Sequence, residues 1–383
     1  MKKRLLLLPW IMMIALFSTS CWNYKDVENL GVVAGCAIDK TGEGHYTLTV
    51  EMINMVVKGR ESQPESVILE TEGETILDAI RNSISISSPK LYWSHATCLI
   101  LGQDVASEGI KEILDIIFRD EELRVGIHLF VSEGKTAKEL FDAKVLTAVI
   151  KSFEIDRRMA DEGFLSKSFP VQAYRFIDVL SEEGISGVLP SICITEQKGE
   201  KMIELCGSAV FKEDKLLGFL DKEETKSLNF ILNNIKGGVI PLKESSDGGA
   251  QRISLEILKN KTDIEPMYIN NKPSIQINIE TEVSLKELNK ADNTITQKDL
   301  EFIEKEAGNR LKTDIEGFIS KVQKKYNSDI FGFGRSFYKN KPSVWKKISH
   351  QWKNIFKDLE VKVKPTIRIM DSGMTNTYIH IGD

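Results

Sequence analysis

The sequence predicts an α+β (mixed α/β) protein of two to three domains, each with a central, mostly antiparallel or mixed sheet flanked by helices. Three observations predict it. Tyr46, Leu48, Val50 and Met52 alternate with Thr47, Thr49 and Glu51, the period of a half-buried strand. Ile76, Leu77, Ile80 and Ile84 recur with the period of an amphipathic helix. Segments of both kinds interleave along the chain, and 383 residues at 42% hydrophobic content suffice for more than one core.

The elements follow in order. Residues 31–39 read as a strand, 40–44 as a Gly-containing turn and 45–53 as its hairpin partner. Residues 67–69 continue the sheet, 74–84 form a helix, and 99–101 a buried strand ending at Gly102. Asp104 caps a helix carrying Ala106, Ile110, Ile113, Leu114 and Ile117, and 127–131 is another strand, followed by helical segments from about 136 to 153. Residues 151–190 are more polar and are punctuated by Pro170, Gly184, Gly187 and Pro190, which suggests a helical subdomain or connector. A hairpin then opens the second half, residues 207–211 and 216–220, followed by a capping box of Asp221 and Glu224 ahead of a helix. Strands are expected at 253–258 and 275–283. A long helix, 298–326, is capped by Thr296 and Asp299, and a late strand is bent or put on an edge by Pro365. The domain limits expected are 1–20 for a lipoprotein signal, 21–150 for an N-terminal mixed α/β domain, 151–200 for a helical connector or subdomain and 201–383 for a C-terminal α+β domain.

The first 20 residues stand apart. A basic head (Lys2, Lys3, Arg4), an apolar run at 5–17 broken only by Pro9, and the small residues Ser18, Thr19 and Ser20 read as a secretion signal. The apolar run is shorter than the roughly 20 residues a spanning helix needs. Cys21 is either a stray thiol near an ordinary cleavage site or the lipidated first residue of a lipoprotein. Ser18 stands where a lipoprotein signal usually has leucine, but Cys21 falls where the apolar run ends, and lipidation is the expectation. The only attached group expected is a covalent diacylglyceryl lipid on Cys21, with no other cofactor and no metal. Two acyl chains anchor stably where one does not, and Trp22 would then lie at headgroup level.

Charge and motifs exclude several classes. Without Lys2, Lys3 and Arg4 the chain has 48 basic against 56 acidic residues, which lacks the basic footprint of a nucleic-acid protein. The remaining cysteines, Cys36, Cys98, Cys193 and Cys206, have no metal-ligand spacing; the pair Cys193 and Cys206 is close enough to bridge, although four small buried hydrophobes is the reading preferred here. None of the five histidines pairs with another at ligand spacing. Residues 184–187 (Gly-Ile-Ser-Gly) are one residue short of a nucleophile elbow and read as a turn. Residues 332–335 lack the strand–helix context of a phosphate loop. With no assembled nucleophile, base and oxyanion donors, no catalytic residue is assigned and a non-enzyme is expected. Residues 343–356 form the most suggestive helix: Val344, Trp345, Ile348, Trp352, Ile355 and Phe356 share one face, and Lys346, Lys347, His350 and Lys353 the other. Such a helix can lie on a membrane or pack its aromatics on its own sheet, and the second is the better expectation. Trp345 and Trp352, with Phe331 and Phe333, and Phe337 beside them, are carried forward with Trp22 as candidates for membrane or partner contact.

Several long stretches then resemble one family. "CWNYKDVENLGVVAGCAIDK", "EGETILDAIR", "KLYWSHATCLILG" and "EGIKEILDIIFRDEELR" are similar to the N-terminal region of the Ger(x)C proteins, the lipoprotein C subunits of spore nutrient germinant receptors. "GSAVFKEDKLLGFLDKEETKSLNFILNNIKGGVI" and "DIFGFGRSFYKNKPSVWKKISHQWKNIF" resemble their C-terminal domain. The resemblance implies a non-enzymatic subunit held by its lipid on the outer face of the inner spore membrane. Its partners would be the integral-membrane A and B subunits, and it would be needed for nutrient-triggered germination. Which nutrient is sensed, and whether this subunit touches it, stay open. The alternatives are a free-standing solute-binding lipoprotein, which needs a deep polar-tipped pocket, and an envelope hydrolase, which the missing catalytic motif disfavours.

Overall fold

The computed structural model describes residues 30–371, except 43, 59–60, 88–89, 247–248 and 289–295. Cys21, Trp22 and the signal at 1–20 lie outside the described residues.

Two sheets organise the chain. The first has nine strands in the order β3-β2-β1-β5-β6-β7-β8-β9, with the short β4 also paired to β1. Their ranges are β1 Leu30–Lys40, β2 Tyr46–Lys58, β3 Glu61–Gly73, β4 Lys90–Tyr92, β5 Cys98–Leu101, β6 His128–Ser132, β7 Val188–Gln197, β8 Glu200–Lys212 and β9 Lys215–Leu220. β1, β5, β6 and β7 run parallel through the centre, and antiparallel hairpins flank them on both sides. The parallel centre is read from continuous apolar runs such as Cys98-Leu99-Ile100-Leu101, all buried, as expected of strands covered on both faces.

One face is covered by α1 Ile76–Ile86, α2 Gln103–Glu108, α3 Lys111–Arg119 and α6 Ala173–Ser181. Thr75 caps α1 by accepting from the Asp78 N–H, as a residue of that type does at a helix start. The helix expected from Asp104 is broken in two by Gly109 (φ +130°), after which the Ile110 N–H donates to the Asp214 carbonyl at the β8–β9 turn. α2 packs on both β1 and β9, so the sheet curls around it. The other face is covered by α4 Glu139–Asp142 and α5 Lys151–Asp161. α5 sits close because β1 has a bulge at Gly35, where a Cβ would collide with Ser152.

The second sheet has the order β10-β11-β12-β13, from β10 Val239–Ser246, β11 Gly249–Ile269, β12 Lys272–Leu288 and β13 Glu360–Asp371. β13 runs parallel to β12 at the edge, where Pro365 costs no ladder bond on the open side. α7 Lys222–Ile231 and the long α8 Gln297–Lys325 pack on it; their capping boxes, Asp221/Glu224 and Thr296/Asp299, are those expected. Ile275, Ile277, Ile279 and Val283 of β12 are fully buried against Ile303, Ala307, Leu311, Ile315 and Phe318 of α8 in the larger core.

Three expectations are corrected. The hairpin at 207–220 does not start a new sheet: β7 and β8 pair from Val188–Val210 to Gln197–Glu200, so the first sheet runs across the boundary expected at 201 and ends at Leu220. The connector expected at 151–200 is helical only at α5 and α6, with a short 3-10 turn between them, and closes with β7. The single helix at 343–356 is three pieces: α10 Pro342–Ile348, a 3-10 turn and α11 Trp352–Lys357, preceded by α9 Phe333–Asn340.

Candidate functional site

The densest polar chemistry lies where the first sheet meets the helical block α9–α11. Asp329 is buried among aromatic rings. Its Oδ1 accepts from the Phe333 N–H at 3.1 Å, and its Oδ2 from the Gly334 N–H at 2.8 Å and Trp352 Nε1–H at 3.0 Å. Burial pushes this carboxyl up to about 6, and the donated N–H groups oppose that rise without cancelling it. Asp329 thus serves as an N-terminal anchor for α9, whose cap Gly332 adopts φ +73°.

The segment at 182–187 closes over this anchor from the other side. The Ser186 N–H donates to the Asp329 carbonyl at 2.8 Å, and the Arg335 N–H to the Gly184 carbonyl at 2.8 Å. Gly184 (φ +73°) and Gly334 face each other backbone to backbone; a Cβ on either would overlap the other. Arg335 pairs with Glu182 at 3.0 Å, and Trp345 Nε1–H donates to Glu183 at 2.6 Å. Tyr326 Oη donates to the Phe219 carbonyl and Ser328 Oγ to the Phe211 carbonyl, each at 2.7 Å. Residues 184–187 are therefore a turn, as expected, and that turn is one half of a junction. A cleft of about 220 Å³ beside it is lined by Phe169, Arg175, Ile185, Leu232, Ile330 and Arg335.

The aromatic candidates are placed here and are corrected. Phe331, Phe333 and Phe337 are no more than 1% exposed, Trp345 5% and Trp352 8%, so none of them faces a membrane or partner. Phe331 stacks on Phe333 at 4.9 Å between centroids and meets Phe318 edge-on at 5.5 Å; Trp352 lies edge-on to both Phe337 and Trp345. Lys346, Lys347, His350 and Lys353 face outward from the same pieces. The polar face was read correctly, and the apolar face fills the core that the structure builds beneath it.

Cys193 and Cys206 form a disulfide across β7 and β8, with Cα atoms 6.0 Å apart, whereas Cys36 and Cys98 are free and buried. The reading of all four as unpaired hydrophobes thus fails for the hairpin pair. Glu204 lies beside those two sulfurs, the one grouping of possible metal ligands among the described residues. The sulfurs are bonded to each other and Glu204 is paired with Lys222, so no free ligand set remains there.

His128 is the one histidine in a polar constellation that the sequence did not single out. Its Nδ1 meets Asp156 at 2.8 Å and its Nε2 meets the Gln172 side-chain nitrogen at 3.1 Å. With the amide donating to Nε2 and Nδ1–H donating to the carboxylate, neither ring nitrogen is left to take a substrate proton. Glu51, fully buried on β2, accepts from the Lys151 and Ser152 N–H groups at 2.9 and 2.7 Å and from Ser152 Oγ at 2.6 Å, fixing the start of α5. Glu154 accepts from Thr147 N–H and Oγ1 at 3.0 and 2.6 Å, from Ala148 N–H at 2.9 Å and from Arg158 at 2.7 Å. Burial alone would raise its carboxyl, but the Thr147 and Arg158 donors outweigh that and bring it down to about 2. Glu51 and Glu154 order backbone and His128 ties two side chains together; none of the three lines the cleft beside Gly184. Among the described residues, no helix is long and apolar enough to cross a membrane.

Comparison with known proteins gives a consistent picture. Residues 23–194 match the family model described as spore germination protein N-terminal domain, and residues 206–373 that described as spore germination B3/GerAC like, C-terminal. The chain is 28% identical to spore germination protein B3 of Bacillus subtilis (strain 168) over 372 residues, which span 95% of this chain and 96% of that protein. It is 23% identical to spore germination protein KC of the same organism over 407 residues, spanning 99% and 98%. Spore germination protein GerQC of Bacillus cereus is 22% identical over 376 residues, spanning 96% and 99%. The crystal structure of the GerBC protein superposes with a TM-score of 0.57 at 24% identity, covering 88% of this chain and 97% of that one, and so shares the fold.

Proposed function

From the premise that the chain belongs to the Ger(x)C family of spore germination proteins, the C-type germinant receptor subunits, we propose that it is the lipid-anchored subunit of a nutrient germinant receptor. The observation that carries this reading is that both family matches run in order across residues 23–373, with relatives matched over nearly their whole length. The anchor is a diacylglyceryl group on Cys21, exposed by removal of residues 1–20, and it holds the protein to the outer face of the inner spore membrane. There it docks with the integral-membrane A and B subunits and is needed for the response to nutrient. The role is non-enzymatic. Two features support that: His128 has both ring nitrogens engaged, and the buried carboxylates Glu51, Glu154 and Asp329 are each occupied by backbone donors.

The test is Cys21→Ala in the native host, read by membrane fractionation and by nutrient-triggered germination. Loss of the protein from the membrane together with loss of germination is the expected result. A variant that stays membrane-bound and germinates normally overturns the anchor.

A further inference from the structure

One end of the first sheet collects apolar side chains that the rest of the described molecule leaves uncovered. β1 begins at that end with Leu30, paired with Lys90 of β4. The β2–β3 hairpin projects past it: pairing of β1 with β2 stops at Val32–Ile53, whereas β2 and β3 stay paired to Lys58–Glu61. α1 also finishes there, since Ser87, just beyond it, reaches the Met52 sulfur and β4 starts three residues later. So does α3, because Glu122 past its end pairs with Lys90 at 2.5 Å and Asp120 faces Arg81 at 3.9 Å. On these three elements Met55 is 57% exposed, Val57 72%, Ile84 52%, Ile86 64% and Phe118 48%. Single exposed apolar residues are ordinary; five at one end, from a hairpin and two helix termini, mark a contact surface.

The chain outside the structure says what covers it. Leu30 is nine peptide steps from Cys21, a reach of about 30 Å at most. This step rests on the anchor reading above. With Cys21 acylated, this end of the sheet stays within that distance of the bilayer, while the junction at Asp329 and the second sheet have no such constraint. We propose that the end bearing Met55, Val57, Ile84, Ile86 and Phe118 is a membrane-facing surface, whose side chains enter the headgroup boundary of the bilayer beside the acyl chains. The contact is apolar. Asp120, Glu121 and Glu122 stand at the same end; Arg81 and Lys90 are paired with Asp120 and Glu122, and Lys58 ends β2 next to Val57. Burial of the five apolar side chains does not need lipid charge, so the surface settles on zwitterionic lipid.

The test uses the full acylated chain in phosphatidylcholine vesicles. Cys36 and Cys98 are buried and spared by a bulky thiol reagent, so Val57→Cys and Ile86→Cys each accept one environment-sensitive fluorophore, with Phe302→Cys on the outside of α8 as reference. Nitroxides carried on the lipid near the headgroups are expected to quench the labels at 57 and 86 several-fold more than the label at 302. Equal quenching at all three, on protein shown by the mass of its N-terminal peptide to be acylated, overturns the orientation and leaves the anchor intact. Protein that carries no acyl group at Cys21 overturns the anchor reading and this orientation with it. Quenching that disappears when the other receptor subunits share the membrane also overturns it, by putting a protein against this end.

Discussion

The aromatic block at α9–α11 and the end of the first sheet that carries Met55, Val57 and Phe118 are the two apolar regions on which a membrane or partner reading can rest, and they behave oppositely. The block has the more suggestive composition, two tryptophans and several phenylalanines beside lysines, yet it is buried; each ring contributes roughly 1.5–3 kcal/mol by leaving water. At that end of the first sheet the exposed apolar side chains are Met55, Val57, Ile84, Ile86 and Phe118, and they face outward. What separates them is the presence of a neighbour. Phe331 meets Phe318 of α8 across the second core and Phe333 stacks on Phe331, whereas among the described residues β2 and β3 run on past Leu30 of β1. Amphipathicity tells that a face must be covered; it does not tell by what.

Substitutions can break this contrast, beginning where the effect is greatest. Asp329→Ala leaves the Phe333, Gly334 and Trp352 N–H donors buried without an acceptor, and denaturant unfolding is expected to show a loss of about 3–5 kcal/mol. The same residue has a pH signature. Its folded carboxyl, at about 6, holds a proton more tightly than the unfolded group at 3.8, so its contribution rises as pH falls from about 6 towards 4, by roughly 3 kcal/mol, and is lost above that window. Asp329→Ala removes this rise; equal slopes in the two proteins would contradict the assignment. Replacing Cys193 and Cys206 together by serine opens a loop of sequence separation 13, a cost of about 3 kcal/mol on the chain-entropy account, and the midpoint of urea unfolding reports it.

Glu154→Gln comes next, at about 2–3 kcal/mol near neutral pH. Its folded carboxyl is depressed to about 2, so its stabilisation is full above 4.5 and is lost as pH falls through 2; variant and parent curves should converge there. The smallest effect belongs to the exposed end of the first sheet. Met55→Ser with Val57→Ser removes exposed groups and is expected to shift stability by no more than about 0.5 kcal/mol. A larger loss would show that those side chains are covered within the molecule, which would remove the contrast from which the membrane-facing assignment starts.

Much of the fold was legible. The β1–β2 hairpin, the two capping boxes, the α8 stripe and the edge position of Pro365 follow from local pattern, because period and cap chemistry are properties of short segments. The extent of β10, the 21 residues of β11 and the start of β8 at Glu200 were not read, since exposed edge and hairpin strands rich in Lys, Glu and Ser lack alternation strong enough to mark them. The junction was half legible. Gly184 was read as part of a turn, but its contact with Gly334 joins positions 150 residues apart, and Asp329 has no neighbour in sequence to announce that its carboxylate will collect three N–H donors. The Cys193–Cys206 bridge depended on register across β7 and β8, which spacing leaves undetermined.

The sheet shared between the two family matches bears on how the protein is made. The first match ends at 194, inside β7, and the second begins at 206, inside β8, yet these strands are hydrogen-bonded neighbours joined by a disulfide. The chain reaches its folding compartment from its N-terminus, so β1 to β7 exist for a time with a bare edge on β7, until residue 220 has emerged and β8 and β9 pair onto it. For that interval the nascent chain has no complete first domain, only an open template for strand pairing. A gene cut at the apparent domain boundary would make that interval permanent, and its product should collect in inclusion bodies.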